Sequence, residues 1–162
     1  MNTKNSQSYT CCFTGHRPDK LMRSESDICW DLEKEIRRAI ADGFTVFISG
    51  MSRGVDIYSA EIVLRLRDDN PTLKLICAVP FPGFEFRWPL EWRERYNKVL
   101  HAADAVENIL PHYSRGCFQI RNKWMVDRSS RLIAVYNGTP GGTRNTIEYA
   151  QRCGISIVMI DG

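Results

Sequence analysis

The stretch FTVFISGMSRGVD, from Phe44 to Asp56, decides the fold. Its first half, with Phe44, Val46, Phe47 and Ile48, is β-branched and aromatic without polar alternation, the pattern of a strand buried on both faces. Gly50 and Gly54 stop that run, and Asp56, Tyr58 and Glu61 lead a helical pattern behind it. A strand that ends in glycine just before a helix leaves backbone N–H groups unpaired at the positive end of the helix dipole, where an anion satisfies them. Arg53 adds a fixed charge to the same turn. Glycine suits this place because phosphate approaches a backbone only where no Cβ intervenes, and because such turns often need positive φ.

Toward the N-terminus, Ser24 to Asp42 reads as an amphipathic helix: Ile28, Leu32, Ile36 and Ile40 recur every four residues between Glu33, Lys34, Arg37 and Arg38. Gly43 is its expected C-cap. Before it, Tyr9 to Phe13 reads as a strand running into Gly15 and HRPDK, after a flexible start over residues 1–7. Toward the C-terminus, a helix from Val55 to Arg67 ends at the Asn70-Pro71 turn, and Leu73 to Val79 is a strand. The loop PFPGFEFRWP then supplies a wall or lid, and Leu90 to Leu100 is helical. Trp88, Trp92 and Tyr96 recur every four residues, which favours a packed aromatic stripe over a base-stacking surface.

A weaker strand from Ala105 to Leu110 precedes a helix from Cys117 to Arg128, started by Ser114 or Gly116. That helix is unusually polar, with Gln119, Arg121, Asn122 and Asp127, and Ile120, Trp124 and Met125 are its expected buried side. Arg131 to Tyr136 is a strand, NGTPGGTRNT a third glycine-rich loop, Thr143 to Arg152 a helix closed by Gly154, and Ile155 to Ile160 a last strand. Strand and helix alternate throughout. The expectation is an α/β, Rossmann-like domain spanning residues 1–162, with a mainly parallel sheet of about six strands and helices on both faces. In such a sheet ligands bind beyond the carboxyl ends of the strands, and all three glycine-bearing loops follow strands.

Composition narrows the class. At 162 residues, 43% hydrophobic and 25% charged, the chain suffices for one domain with a real core. The 22 Lys and Arg against 19 Asp and Glu give +3, too mild to imply nucleic acid by itself. The six cysteines form no CxxC pair and no His stands at ligand spacing, so neither zinc nor a disulfide framework is indicated. With no membrane-length apolar run and no signal-peptide core, the expected home is the cytoplasm, with no membrane partner.

The three loops offer Gly15, His16 and Arg17; Ser49, Gly50, Arg53 and Gly54; and Gly141, Gly142, Thr143 and Thr146. Two arginines able to grip phosphate oxygens, with amide N–H groups and hydroxyls, suit a nucleotide better than an uncharged metabolite. No GxGxxG or GxxxxGK[ST] is present, which disfavours a standard dinucleotide fingerprint and a P-loop. Glu148, in the first turns of the last helix, is the best acid or base candidate. His16 reads as a hydrogen-bonding residue and Asp56 as a helix cap.

In their order, TGHRPDKL, ISGMSRGVD and RNKWMVDRSSRLIAVYNGTPGGTRNTIEYA resemble the SLOG superfamily, specifically its small YspA/YpsA-like bacterial proteins. SGMSRGVD also resembles a segment of DNA-processing protein A, and the PGG segment resembles the LOG phosphoribohydrolases. The resemblance implies a Rossmann-like fold that binds a nucleotide or nucleotide-derived ligand at these loops, as a sensor or recognition module needing no further cofactor. Two alternatives follow. In LOG enzymes an Arg and a Glu form the catalytic pair, and Arg121 and Glu148 fall on those positions, which implies N-glycosidic cleavage of a nucleoside monophosphate without a metal. The other is single-stranded nucleic-acid binding, with Trp88 and Trp92 as stacking platforms. The superfamily often associates, which adds a homo-oligomer to the expectation.

Overall fold

The computed structural model describes residues 9–162; the start expected to be flexible, residues 1–7, lies outside them. Six strands form one parallel sheet: β1 (Thr10–Gly15), β2 (Val46–Ser49), β3 (Lys74–Val79), β4 (Ala105–Asn108), β5 (Arg131–Tyr136) and β6 (Ser156–Asp161). Their spatial order is β4-β3-β2-β1-β5-β6. The chain builds outward from β1 to β4, then crosses back to lay β5 on the other side of β1. The crevice beyond the carboxyl ends of β1 and β5 is therefore where this class of sheet takes a ligand.

Five helices connect the strands: α1 (Glu25–Ala41), α2 (Val55–Asp69), α3 (Leu90–Ala102), α4 (Cys117–Asp127) and α5 (Gly142–Cys153). The first three cover one face. There Ile28, Leu32 and Ile36 of α1 are fully buried in a cluster with Phe13, Phe47, Val63 and Leu75. Burying such a side chain contributes about 1.5–3 kcal/mol, so the four-residue period of α1 supplies much of this face. On the opposite face α4 and α5 enclose a smaller core of Cys12, Ile48, Met125, Leu132, Ile147 and Ala150.

The helix ends follow local chemistry. Ser24 accepts the Asp27 N–H at 3.1 Å and caps α1, while Asp42 rather than Gly43 is its C-cap. Gly43 follows one position later at φ 100°, the left-handed conformation that lets the chain leave the helix.

The polar helix α4 departs from expectation. Its buried residues are Cys117, Arg121, Asn122, Met125 and Val126, whereas Ile120 is 44% exposed. The helix thus turns two of its most polar side chains inward. Trp92 and Tyr96 pack as a stripe, the first at 5.9 Å from the Tyr58 ring and under Arg95, the second against Phe84 and Trp88 at 5.5 Å. Arg95 also pairs with Glu25 and Glu61, which fastens α3 to α1 and α2. Among the described residues no helix is long and apolar enough to cross a membrane.

Candidate functional site

A cleft of about 420 Å³ opens beyond the carboxyl end of β1, between its loop, α4 and the start of α5. The end of β1 and its loop contribute Thr14, Gly15, His16, Arg17, Asp19 and Lys20; α4 contributes Phe118, Gln119, Arg121 and Asn122; the start of α5 contributes Gly142 and Thr143. Ser52 lines it from the second loop and Asp56 from the first turn of α2. The first turn of α5 presents unpaired amides here, at the positive end of its dipole. Arg17 and Lys20 are exposed beside it, which leaves their charges free to meet an anion.

Arg121 is the buried member of this group, 4% exposed. Its Nε donates to Asn122 Oδ1 at 2.8 Å, Nη1 to the Gly50 carbonyl and Nη2 to Ser52 Oγ at 3.3 Å. A guanidinium carries five N–H donors, so after these three bonds two remain for a ligand. Burial lowers its pKa, and the charge of Asp56 works against that fall. Asp56 is 7% exposed, and its Oδ2 accepts the Ser52 N–H at 3.2 Å. Burial pushes its carboxyl up to about 6, although Arg121 and the Ser52 N–H both pull it down. A helix cap does not describe this residue; it is a buried acid facing a basic cleft. Neither Asp56 nor Asn122 stands out in the sequence, because an Asp in a first helical turn and an Asn beside an Arg are ordinary surface patterns.

The other expected residues divide. His16 is buried and its Nε2 accepts the Asn137 N–H at 3.2 Å, tying the first loop to the third. Burial, and Lys20 nearby, lower its pKa, consistent with an unprotonated acceptor nitrogen. Ser49 lies behind the cleft, where its Oγ donates to the Asp56 carbonyl at 2.8 Å and accepts the Met51 N–H. Thr146 is likewise internal to its helix, bonded to the Gly142 carbonyl. Glu148 does not line the cleft: its carboxylate pairs with Arg144 at 3.0 Å on an exposed face. Five residues beyond Thr143, it stands roughly 140° around the helix from the side that meets the cleft.

The glycines also differ in what they admit. A Cβ on Gly15 would lie 2.5 Å from Val55 and one on Gly54 2.8 Å from the His16 carbonyl, so these two let the first loop and α2 touch each other. Gly50 backs onto Arg121 and Asp56. Gly141 and Gly142 are open, with nearest atoms at 3.9 and 3.7 Å, and so is Gly116 in the cleft lining, with nothing within 4 Å, so a ligand can approach the backbone there. The positive φ in the second loop falls on Met51 and Gly54 rather than on Gly50.

Arg53 lies outside the main cleft, over the Trp88 ring at 5.8 Å. It lines a second cavity of about 120 Å³ together with Phe84 and Trp88. Arg17, Ser52 and Phe118 line both cavities, so the two adjoin. Among the described residues no group of three or more His, Cys, Asp or Glu is placed to hold a metal ion.

A family model described as the YspA SLOG family matches residues 11–157. The chain belongs to this family. A UPF0398 protein of Bacillus pumilus is 32% identical to this SLOG chain over 139 residues, covering 80% of the chain and 74% of the relative. Another, from Halalkalibacterium halodurans, is 30% identical, covering 74% of the chain and 65% of the relative. Among solved structures, DNA processing protein A of Streptococcus pneumoniae superposes with a TM-score of 0.69 at 18% identity; 99% of this chain spans only 53% of that one. The Helicobacter pylori counterpart, described for its single-stranded DNA binding mode, gives 0.63 at 17% identity, and the SLOG chain spans 68% of it. At such identities the likeness is one of fold. It agrees with the α/β, Rossmann-like arrangement of strands and helices.

Proposed function

We propose that this SLOG domain binds a nucleotide or nucleotide-derived ligand in the cleft beyond the carboxyl end of β1, as a sensor or recognition module. One observation carries the reading: Arg121, Arg17, Lys20 and the amides of the first turn of α5 meet at a single cavity. Fixed guanidinium donors and helix N-terminal amides are what a phosphate group selects. The base extends past Phe118 toward Phe84 and Trp88, where aromatic faces and Arg53 stack on it. N-glycosidic cleavage has less support, because Glu148, its expected partner for Arg121, is occupied by Arg144 outside the cleft.

Nucleoside mono- and diphosphates are expected to raise the melting temperature of the wild-type protein. Arg17→Ala combined with Lys20→Ala should weaken their binding by about tenfold or more, the loss of two charge-assisted contacts. Undiminished affinity in that double variant would remove the phosphate from this cleft.

Single-stranded DNA is the second reading, favoured by the fold shared with a protein described for that activity and by two adjoining cavities that form a track. Titration with oligonucleotides separates the two. Affinity that rises with length and falls steeply with salt is the signature of a strand, whereas a mononucleotide site is nearly indifferent to length.

A further inference from the structure

The floor of the cleft differs from its mouth. Arg17, Lys20 and the α5 amides favour phosphate, but deeper in, Asp56 places a carboxylate among Arg121, Asn122 and Ser52. Asp56 is more than nine-tenths buried, and only its Oδ2 is engaged by a protein donor; among the described residues no hydrogen bond reaches Oδ1. A carboxylate repels a second phosphate and is costly to bury without a donor. What satisfies it is a neutral group that donates to the carboxylate and also accepts from Arg121 or from the Asn122 amide. Adjacent hydroxyl groups do both, since each offers one O–H donor and two lone pairs.

Building on the nucleotide reading above, we propose that Asp56, with Arg121 and Asn122, forms a subsite for the ribose diol, and that the ligand is a ribonucleotide rather than a deoxyribonucleotide. The phosphate then lies at the mouth and the sugar on the floor. Asp56 is a specificity-determining residue in this arrangement: it meets the sugar hydroxyls directly. A site built to bond a hydroxyl rejects the analogue that lacks it, because its own buried group is left unpaired.

The test uses calorimetric titration of the full chain with ribonucleoside 5′-mono- and diphosphates of all four bases and with their 2′-deoxy counterparts. The wild type should prefer the ribo form by about tenfold or more. Asp56→Asn should bring the two within about twofold, mainly by weakening the ribo form, because an amide nitrogen replaces one acceptor oxygen. Arg17→Ala should weaken both forms alike and keep the ratio, since it acts on phosphate. Equal wild-type affinities, or a ratio unchanged in Asp56→Asn, would overturn the diol subsite and leave the phosphate cleft standing. Absence of any nucleotide binding would overturn both. Melting curves of the variants show whether each is folded, and Asp56→Ser, which replaces the carboxylate by a single hydroxyl, should likewise lose the ribo preference.

Discussion

Asp56→Asn should unfold at a higher temperature than the wild type at pH 7, and the difference should vanish in acid. The carboxyl of Asp56 is pushed from an ordinary 3.8 to about 6 by burial. A group that binds its proton more tightly in the folded than in the unfolded chain makes stability fall as pH rises between the two pKa values. Below 3.8 the folded and unfolded chains both carry the proton and no penalty exists; above 6 both are ionised and the penalty is complete. At roughly 1.4 kcal/mol per unit, the shift corresponds to about 3 kcal/mol at pH 7. Asparagine keeps an oxygen to accept the Ser52 N–H and resembles the protonated acid in size, so it escapes that penalty. For a domain of this size the gain is several degrees. Urea unfolding of both proteins at intervals from pH 4 to 8 checks it, with the gap opening between pH 4 and 6. A gap that ignores pH, or a variant less stable at pH 7, would mean that Arg121 holds Asp56 as a favourable anion despite its burial.

A destabilising carboxylate is retained in a protein when it is used, and stability is commonly given up at functional sites. The expected stability gain and the expected loss of ribose preference belong to the same substitution. If they occur together, the cost of burying Asp56 is explained by the ligand it meets.

The architecture was legible in the sequence wherever the physics is local and periodic. Ile28, Leu32 and Ile36 recur with the helical turn and are fully buried, and the apolar run at Phe47 and Ile48 enters the centre of the sheet. The strand-to-helix loops could be placed at one edge because alternation of strand and helix leaves a parallel sheet little choice. The cleft was less legible because its chemistry inverts those rules. In α4 the period assigns Ile120 to the inside, yet Arg121 and Asn122 are buried, because there the helix meets the polar second loop, where Arg121 bonds the Gly50 carbonyl and Ser52, rather than an apolar core. The clue available was that Gln119, Arg121 and Asn122 crowd a helix with few apolar residues. Glu148 shows the converse: its motif position resembles a catalytic one, but motif order carries no angle, and the side chain stands on the outer face with Arg144.

Glycine in these loops is expected to leave room for phosphate, and at Gly141 and Gly142 that room exists. For Gly54 the expected positive φ is joined by a second reason, the close approach of the first loop to α2, and together they lead to the largest destabilisation expected here. Gly54 precedes α2 with φ 91° and ψ −129°, a region essentially closed to residues with a Cβ. An added Cβ would also lie 2.8 Å from the His16 carbonyl oxygen and 3.1 Å from Pro18. The first of these is backbone, which cannot swing aside as a side-chain tip would. Strain of about 1–3 kcal/mol adds to an overpacking cost of similar size, so Gly54→Ala should destabilise by about 3–5 kcal/mol, a large part of a domain's usual 5–15. Chemical denaturation measures the loss directly. The relief available is to push the first loop away from α2, which moves His16, Arg17 and Lys20 together and separates the mouth of the cleft from its floor. Gly138→Ala is the matched control: it too has positive φ, at 88°, but a Cβ there has nothing within 4 Å. It should cost only the backbone strain, about 1–3 kcal/mol, and leave nucleotide affinity close to wild type. Equal losses in the two variants would mean that conformation alone matters at Gly54. A larger loss at Gly54, accompanied by weakened binding, would establish that the contact between the first loop and α2 holds the two halves of the cleft in register.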